Sequence, residues 1–278
     1  MNYLEFTAIL AGGSFAAGVL GALTGLGGGV VIVPLLTLGL GIDLRYAVGA
    51  SLVAVIATSS GAAAAYVKEG YTNIRIGMFL TIATTIGALC GALLAGILST
   101  KIIAIIFGVV LIYSAYLSSK AKEDHSDDSS PDPLAVRLKL NSSYPTLSGE
   151  KQYAVHNVGA GFGLMGLAGI LSGLLGIGSG AVKVLAMDHA MRLPFKVSTT
   201  TSNFMIGVTA AASAGVYLMR GYIDPGIAMP VMLGILGGSL LGARLLMKFH
   251  PKVLRLVFGV VIMALGVEMI YNGFTGKI

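Results

Sequence analysis

The sequence predicts an all-α polytopic membrane protein made of two inverted-topology repeats, each with about five helical segments and one short helix broken by glycine. Three observations lead there. The first is composition: 55% of the 278 residues are hydrophobic, 11% are charged, and the mean hydropathy is +0.88. A soluble domain carries about 25% charged residues. The second is a duplication. A shift of 151 positions (176 − 25) lays Gly176-Ile177-Gly178-Ser179-Gly180 on Gly25-Leu26-Gly27-Gly28-Gly29 without a gap. The third is that the apolar segment after each of these glycine runs is too short to cross a bilayer.

Ten apolar segments follow in order: 3–23, 30–41, 46–67, 74–98, 102–118, 153–174, 181–191, 197–219, 226–247 and 253–272. Most approach the roughly 20 residues that cross hydrocarbon. Segments 30–41 and 181–191 reach only about 15–20 Å at about 1.5 Å per residue, little more than half of a core about 30 Å thick. Their glycine-rich N-termini are therefore expected deep in the membrane.

The same shift pairs Thr58 with Thr209, Tyr66 with Tyr217, and Gly70-Tyr71 with Gly221-Tyr222. It also pairs Gly87 and Gly91 with Gly238 and Gly242, and Phe107-Gly108-Val109-Val110 with Phe258-Gly259-Val260-Val261. Glycine, at 40 residues, suits helices that approach closely in lipid. Between the halves lies a polar stretch with Lys120, Lys122, Glu123, Asp124, Asp127, Asp128, Pro131 and Pro133. This divides the chain into a first repeat (1–118), a linker (119–152) and a second repeat (153–278). The period-two alternation from Leu134 to Leu140 reads as a short strand.

The formal charge of +6 does not signal nucleic acid, because the basic residues sit in short loops, where they set membrane orientation. The single cysteine, Cys90, excludes an internal disulfide and a multi-cysteine metal site. No cofactor or metal is expected. The N-terminus lacks a basic leader region and carries Glu5, so the first segment is expected to be retained. With ten crossings and the N-terminus outside, four basic residues (Arg45, Lys101, Arg220, Lys277) face one side and twelve the other. With four crossings per repeat the split is nine against seven. The excess of positive charge on inner loops favours the first arrangement, with inverted repeats, a cytoplasmic linker and both termini outside. Two full crossings and a re-entrant hairpin remain equivalent readings of each long–short pair.

Inversion brings the N-termini of 30–41 and 181–191 face to face. Each helix N-terminus has unpaired N–H groups and about half a positive charge, so two of them suit an anion. The candidate ligands are Thr24, Gly25, Gly27, Gly28 and Gly29 in the first break, and Gly176, Gly178, Ser179 and Gly180 in the second. Lys183 stands where the first repeat has Ile32. A first-turn lysine opposes the helix dipole, and burial adds a desolvation cost. Asp188 lies about 140° round the helix and suits Arg192 at i+4 better. A bound anion would satisfy Lys183; the alternative is that its chain snorkels to water. Ser202 and Asn203, in the run Thr199-Thr200-Thr201-Ser202-Asn203, can donate to oxyanion oxygens or serve interhelical packing. Gly234, Gly238 and Gly242 read as a packing face.

The two glycine-broken segments, the duplicated half, the mid-chain linker and the run Gly173-Leu174-Leu175-Gly176-Ile177-Gly178-Ser179-Gly180 resemble the sulfite exporter TauE/SafE family, also called TSUP membrane permeases. The similarity covers about residues 8–272 apart from the linker. The resemblance implies transport of small sulfur-containing anions such as sulfite, sulfonates or sulfoacetate, with organic anions handled by some relatives. Related thiosulfate importers rely on several cysteines, which this chain lacks. The expected function is secondary export of sulfite or a small organosulfonate across a bacterial inner membrane, driven by the proton gradient or the membrane potential. A passive anion channel or organic-anion permease on the same scaffold is the alternative. A membrane-embedded enzyme finds no nucleophile–base pair or intramembrane carboxylate–histidine cluster to support it. The oligomeric state is not set by the sequence.

Overall fold

The computed structural model describes residues 3–24, 28–68, 70–119, 132–146, 149–246 and 251–276. The first half contains α1 (Tyr3–Thr24), α2 (Gly29–Pro34) continued by one π-helical turn (Leu35–Gly39), α3 (Leu44–Lys68), α4 (Ile74–Ala95) and α5 (Thr100–Ser119). A short helix α6 (Pro133–Arg137) and a hairpin of β1 (Ser142–Thr146) and β2 (Gly149–Tyr153) follow. The second half contains α7 (Val158–Leu175), α8 (Gly180–Leu185) with its π-helical turn (Ala186–Ala190), α9 (Phe195–Met219), α10 (Pro225–Leu246) and α11 (Pro251–Thr275). Among the described residues, α4, α7, α9 and the stretch Pro225–Gly242 of α10 are long and apolar enough to cross a membrane.

The 151-residue shift carries α2, its π turn, α3 and α4 onto α8, its π turn, α9 and α10 with identical ends. The turns repeat as well. Gly70 and Gly221 both adopt a positive φ, 76° and 74°. After the π turns, Gly41 (φ 64°) and Arg192 (φ 54°) occupy the same left-handed position. Each is followed by an amide that reaches back over the turn, Ile42 to the Leu36 carbonyl and Leu193 to the Met187 carbonyl, both at 3.0 Å. Glycine takes that conformation without strain, whereas an arginine is held there by its surroundings.

The two halves interlock, with α1 lying on α10 and α7 on α4. Gly87 faces the Gly166 carbonyl and Gly238 faces the Phe15 carbonyl, contacts that are equivalent under the shift; a Cβ at either would collide with backbone. Equivalent helices run antiparallel where they meet. On α5 and α11, Gly108 lies opposite Gly266 and Ile270 while Gly273 lies opposite Lys101 and Ile105. On α3 and α9, Gly49 meets Tyr222 just beyond the end of α9, and Gly207 meets Ser59. At opposite ends, Arg45 sits 5.6 Å from the Tyr222 ring centroid and its counterpart Lys196 sits 5.6 Å from that of Tyr71.

The linker corrects one expectation. Leu134 to Leu140 form α6 and a turn rather than a strand, and the strands lie further on, at β1 and β2. Asp132 explains the helix: its carboxylate accepts from the Leu134 amide at 2.8 Å ahead of Pro133 at the first helical position. The alternating Leu134, Val136 and Leu138 are exposed, so their spacing does not mark a buried strand face. Ala135, Leu140 and Val155 are buried against Ile76, Met191 and Leu193. Asn73 ties the linker down, its amide donating to the Leu140 carbonyl (2.9 Å) and the Tyr153 hydroxyl (2.7 Å). Burial pushes the Tyr153 phenol pKa above its ordinary value, partly offset by hydrogen bonds with Asn73 and Ser142.

Candidate functional site

The second break follows from three left-handed residues in close succession after α7: Gly176 (φ 69°), Gly178 (φ 70°) and Ser179 (φ 44°). They end one helix and start the next within four residues, as only a glycine-rich run allows. The Ser179 hydroxyl donates to the Ala168 carbonyl at 2.7 Å, which pins the break to α7. In the first break the Gly28 carbonyl accepts from the Val31 and Ile32 amides, both at 3.1 Å. Gly25 and Gly27 lie outside the described residues, and Thr24 is described only as the backbone end of α1.

The two breaks meet. The Ser51 hydroxyl on α3 lies 2.8 Å from the Gly176 carbonyl and 3.4 Å from the Gly29 carbonyl, so one side chain spans both. A Cβ on Gly29 would stand 3.2 Å from the Gly176 carbonyl and 2.6 Å from Val55. A Cβ on Gly178 would stand 3.2 Å from the same Val55 and 2.9 Å from Ile206. Ser202 repeats the Ser51 contact in the other half, donating to the Gly180 carbonyl at 3.3 Å. Glycine is needed here because backbone, Val55 and Ile206 already fill the space.

Lys183 is completely buried, with 0% exposure. Its Nζ donates to Thr209 Oγ1 at 3.1 Å. Thr209 Oγ1 in turn lies 3.1 Å from Thr84 Oγ1 and 2.8 Å from the Met205 carbonyl, and Thr84 donates to the Thr81 carbonyl at 3.1 Å. The Lys183 chain does not snorkel to the surface. Thr84 escaped the sequence reading. Its signal was a hydroxyl-rich stretch, Thr81, Thr84 and Thr85, inside an otherwise apolar segment.

The hydroxyl run on α9 divides. Thr199 and Thr200 donate back to their own helix, to the Phe195 and Lys196 carbonyls at 2.9 Å each. Thr201 accepts from the Asn73 amide at 3.1 Å and holds the α3–α4 loop. Asn203 lies on α9 and is half-buried. No group of three or more His, Cys, Asp or Glu residues suited to a metal ion occurs among the described residues.

Residues 10–269 match the sulfite exporter TauE/SafE family. The chain belongs to that family. It is 27% identical over 268 residues to the probable membrane transporter protein YunE of Bacillus subtilis, covering 92% of this chain and 94% of that protein. It is 27% identical over 270 residues to the probable membrane transporter protein MJ0441 of Methanocaldococcus jannaschii, covering 92% of each. A probable membrane transporter protein of Xylella fastidiosa is 24% identical over 269 residues, covering 95% and 93%. No solved structure matches the chain.

This TauE/SafE protein is therefore a multi-pass membrane protein of a transporter family, and the family match spans both breaks and the buried lysine. In the TauE/SafE chain two glycine breaks and a buried lysine are packed among apolar helices. Backbone N–H groups, hydroxyls and an ammonium are the groups that bind oxyanions in other settings.

Proposed function

We propose that this TauE/SafE transporter exports sulfite or a small organosulfonate, holding the anion near mid-membrane by glycine-loop backbone amides and helix N-termini. The observation that carries the reading is Lys183, a fully buried side chain whose described partner is a neutral hydroxyl. A buried ammonium needs a counter-charge, and a transported anion supplies one when it arrives. The positive N-terminal ends of α2 and α8, each extended by a π turn, add to the attraction. Ser202, Asn203 and the amides of Gly28, Gly29, Gly178, Ser179 and Gly180 supply the remaining donors in this proposal.

The antiparallel meeting of α5 with α11 and of α3 with α9 supports halves inserted in opposite senses, with the linker cytoplasmic and both termini outside. Rocking of one inverted repeat against the other then exposes a central site to each side in turn. The test is a thermal-shift series on purified protein with sulfite, methanesulfonate, taurine, sulfoacetate and sulfate. A ligand of the folded state raises the melting temperature. At least one sulfur oxyanion is expected to raise it in the wild type and not in Lys183→Gln. Equal shifts in both proteins would remove Lys183 from the site.

A further inference from the structure

We infer that Lys183 also carries a proton alongside the anion: its side-chain nitrogen is protonated while the anion is bound and neutral when the anion has left, so one proton leaves with each exported sulfite dianion and the membrane potential acts on the remaining negative charge. The inference rests on the anion site proposed above.

The partner of Nζ is what points to a switching charge. Thr209 Oγ1, at 3.1 Å, is a hydroxyl, which accepts from an ammonium and donates to a neutral amine. Thr84 Oγ1 at 3.1 Å and the Met205 carbonyl at 2.8 Å give the Thr209 proton somewhere else to point when the nitrogen is charged. Both forms of the lysine are thereby hydrogen-bonded. A carboxylate in the place of Thr209 would hold the ammonium permanently charged. Full enclosure at 0% exposure makes an ammonium without a counter-charge costly, and the arriving anion removes that cost. Anion and proton therefore favour each other's binding by the same factor.

The proton balance is simple. As the anion arrives, the Nζ lone pair forms an N–H bond to a proton delivered by water. As the anion leaves, that bond breaks and the proton returns to water on the side where the anion is released. No other bond changes.

The neighbouring elements bring few competing groups. Asp188 and His189 lie on the π turn after α8, Lys196 and Tyr217 lie on α9, and Arg75 and Cys90 lie on α4, which supplies Thr84. The α7 helix has no titratable residue. The hydrogen bond that Nζ makes is to Thr209 Oγ1.

The experiment is titration calorimetry of the purified protein with sulfite, run in alkaline buffers of different ionisation enthalpy, where sulfite is already a dianion. Wild-type protein is expected to take up about one proton per sulfite bound. Lys183→Arg, whose charge is fixed, is expected to bind sulfite without proton uptake. Wild-type binding with no uptake overturns the inference and leaves the anion site standing. Absence of binding by sulfite and by every organosulfonate of the thermal-shift series across the pH range overturns the anion site, and the inference with it. The wild-type measurement decides the matter even where the arginine variant does not fold.

Discussion

The two halves of this transporter share a backbone frame and differ at the point where chemistry is expected. In the second half, Lys183 hydrogen-bonds Thr209, which contacts Thr84 on α4. The 151-residue shift places Ile32, Thr58 and Ile235 at the corresponding positions. Ile32 and Ile235 are fully buried in the apolar core, and Thr58 donates to its own helix at Ala54 and Val55. One half presents a polar chain and the other a greasy wall. The frame is thus set by glycines and turns, which the halves share, while the proposed site includes Lys183, Thr84 and Asn203, which they do not: Asn203 falls on Leu52. The shared frame is common to both halves, and divergence at the site residues supplies the asymmetry.

Breaking that asymmetry from the apolar side has the largest expected effect. Ile32→Lys places an ammonium opposite Thr58 but with isoleucine where Thr84 would stand. An uncompensated buried charge costs on the order of 3–5 kcal/mol. The variant is expected to be lost from the monodisperse fraction in detergent. Recovery of stable Ile32→Lys protein would show that the first half tolerates the charge as well as the second.

The shared frame is sharpened by a matched pair. Gly87→Ala and Gly238→Ala each drive a Cβ onto a backbone carbonyl at equivalent helix crossings. Each is expected to cost about 1–3 kcal/mol by overpacking. Equal losses of melting temperature are predicted, and a large inequality would mean that the halves are not interchangeable as scaffolds.

Much of this was legible in the sequence. The ten segments fall on the observed helices, and the duplication is carried by residues such as Gly70 and Gly221 whose backbone demands are local. In the sequence a meeting of the two breaks is expected only if the halves are inserted in opposite senses; duplication by itself does not bring them together. The linker was less legible. Its alternating Leu134, Val136 and Leu138 imitate a strand, whereas the local cap at Asp132 decides for helix. Arg192 hides a left-handed position that Gly41 advertises. Thr84 was missed because its role depends on α4 lying beside α9, a tertiary contact with no trace in local spacing.

The central claim is that the buried Lys183, one turn into the helix after the second break, holds the transported anion. Sulfite flux in proteoliposomes, compared between wild type and Lys183→Ile, tests it most directly, because the variant gives the second half the residue of the first and leaves no unpaired charge. The account predicts saturable sulfite flux for wild type and background flux for a Lys183→Ile protein that remains folded. Undiminished flux in the folded variant would contradict it.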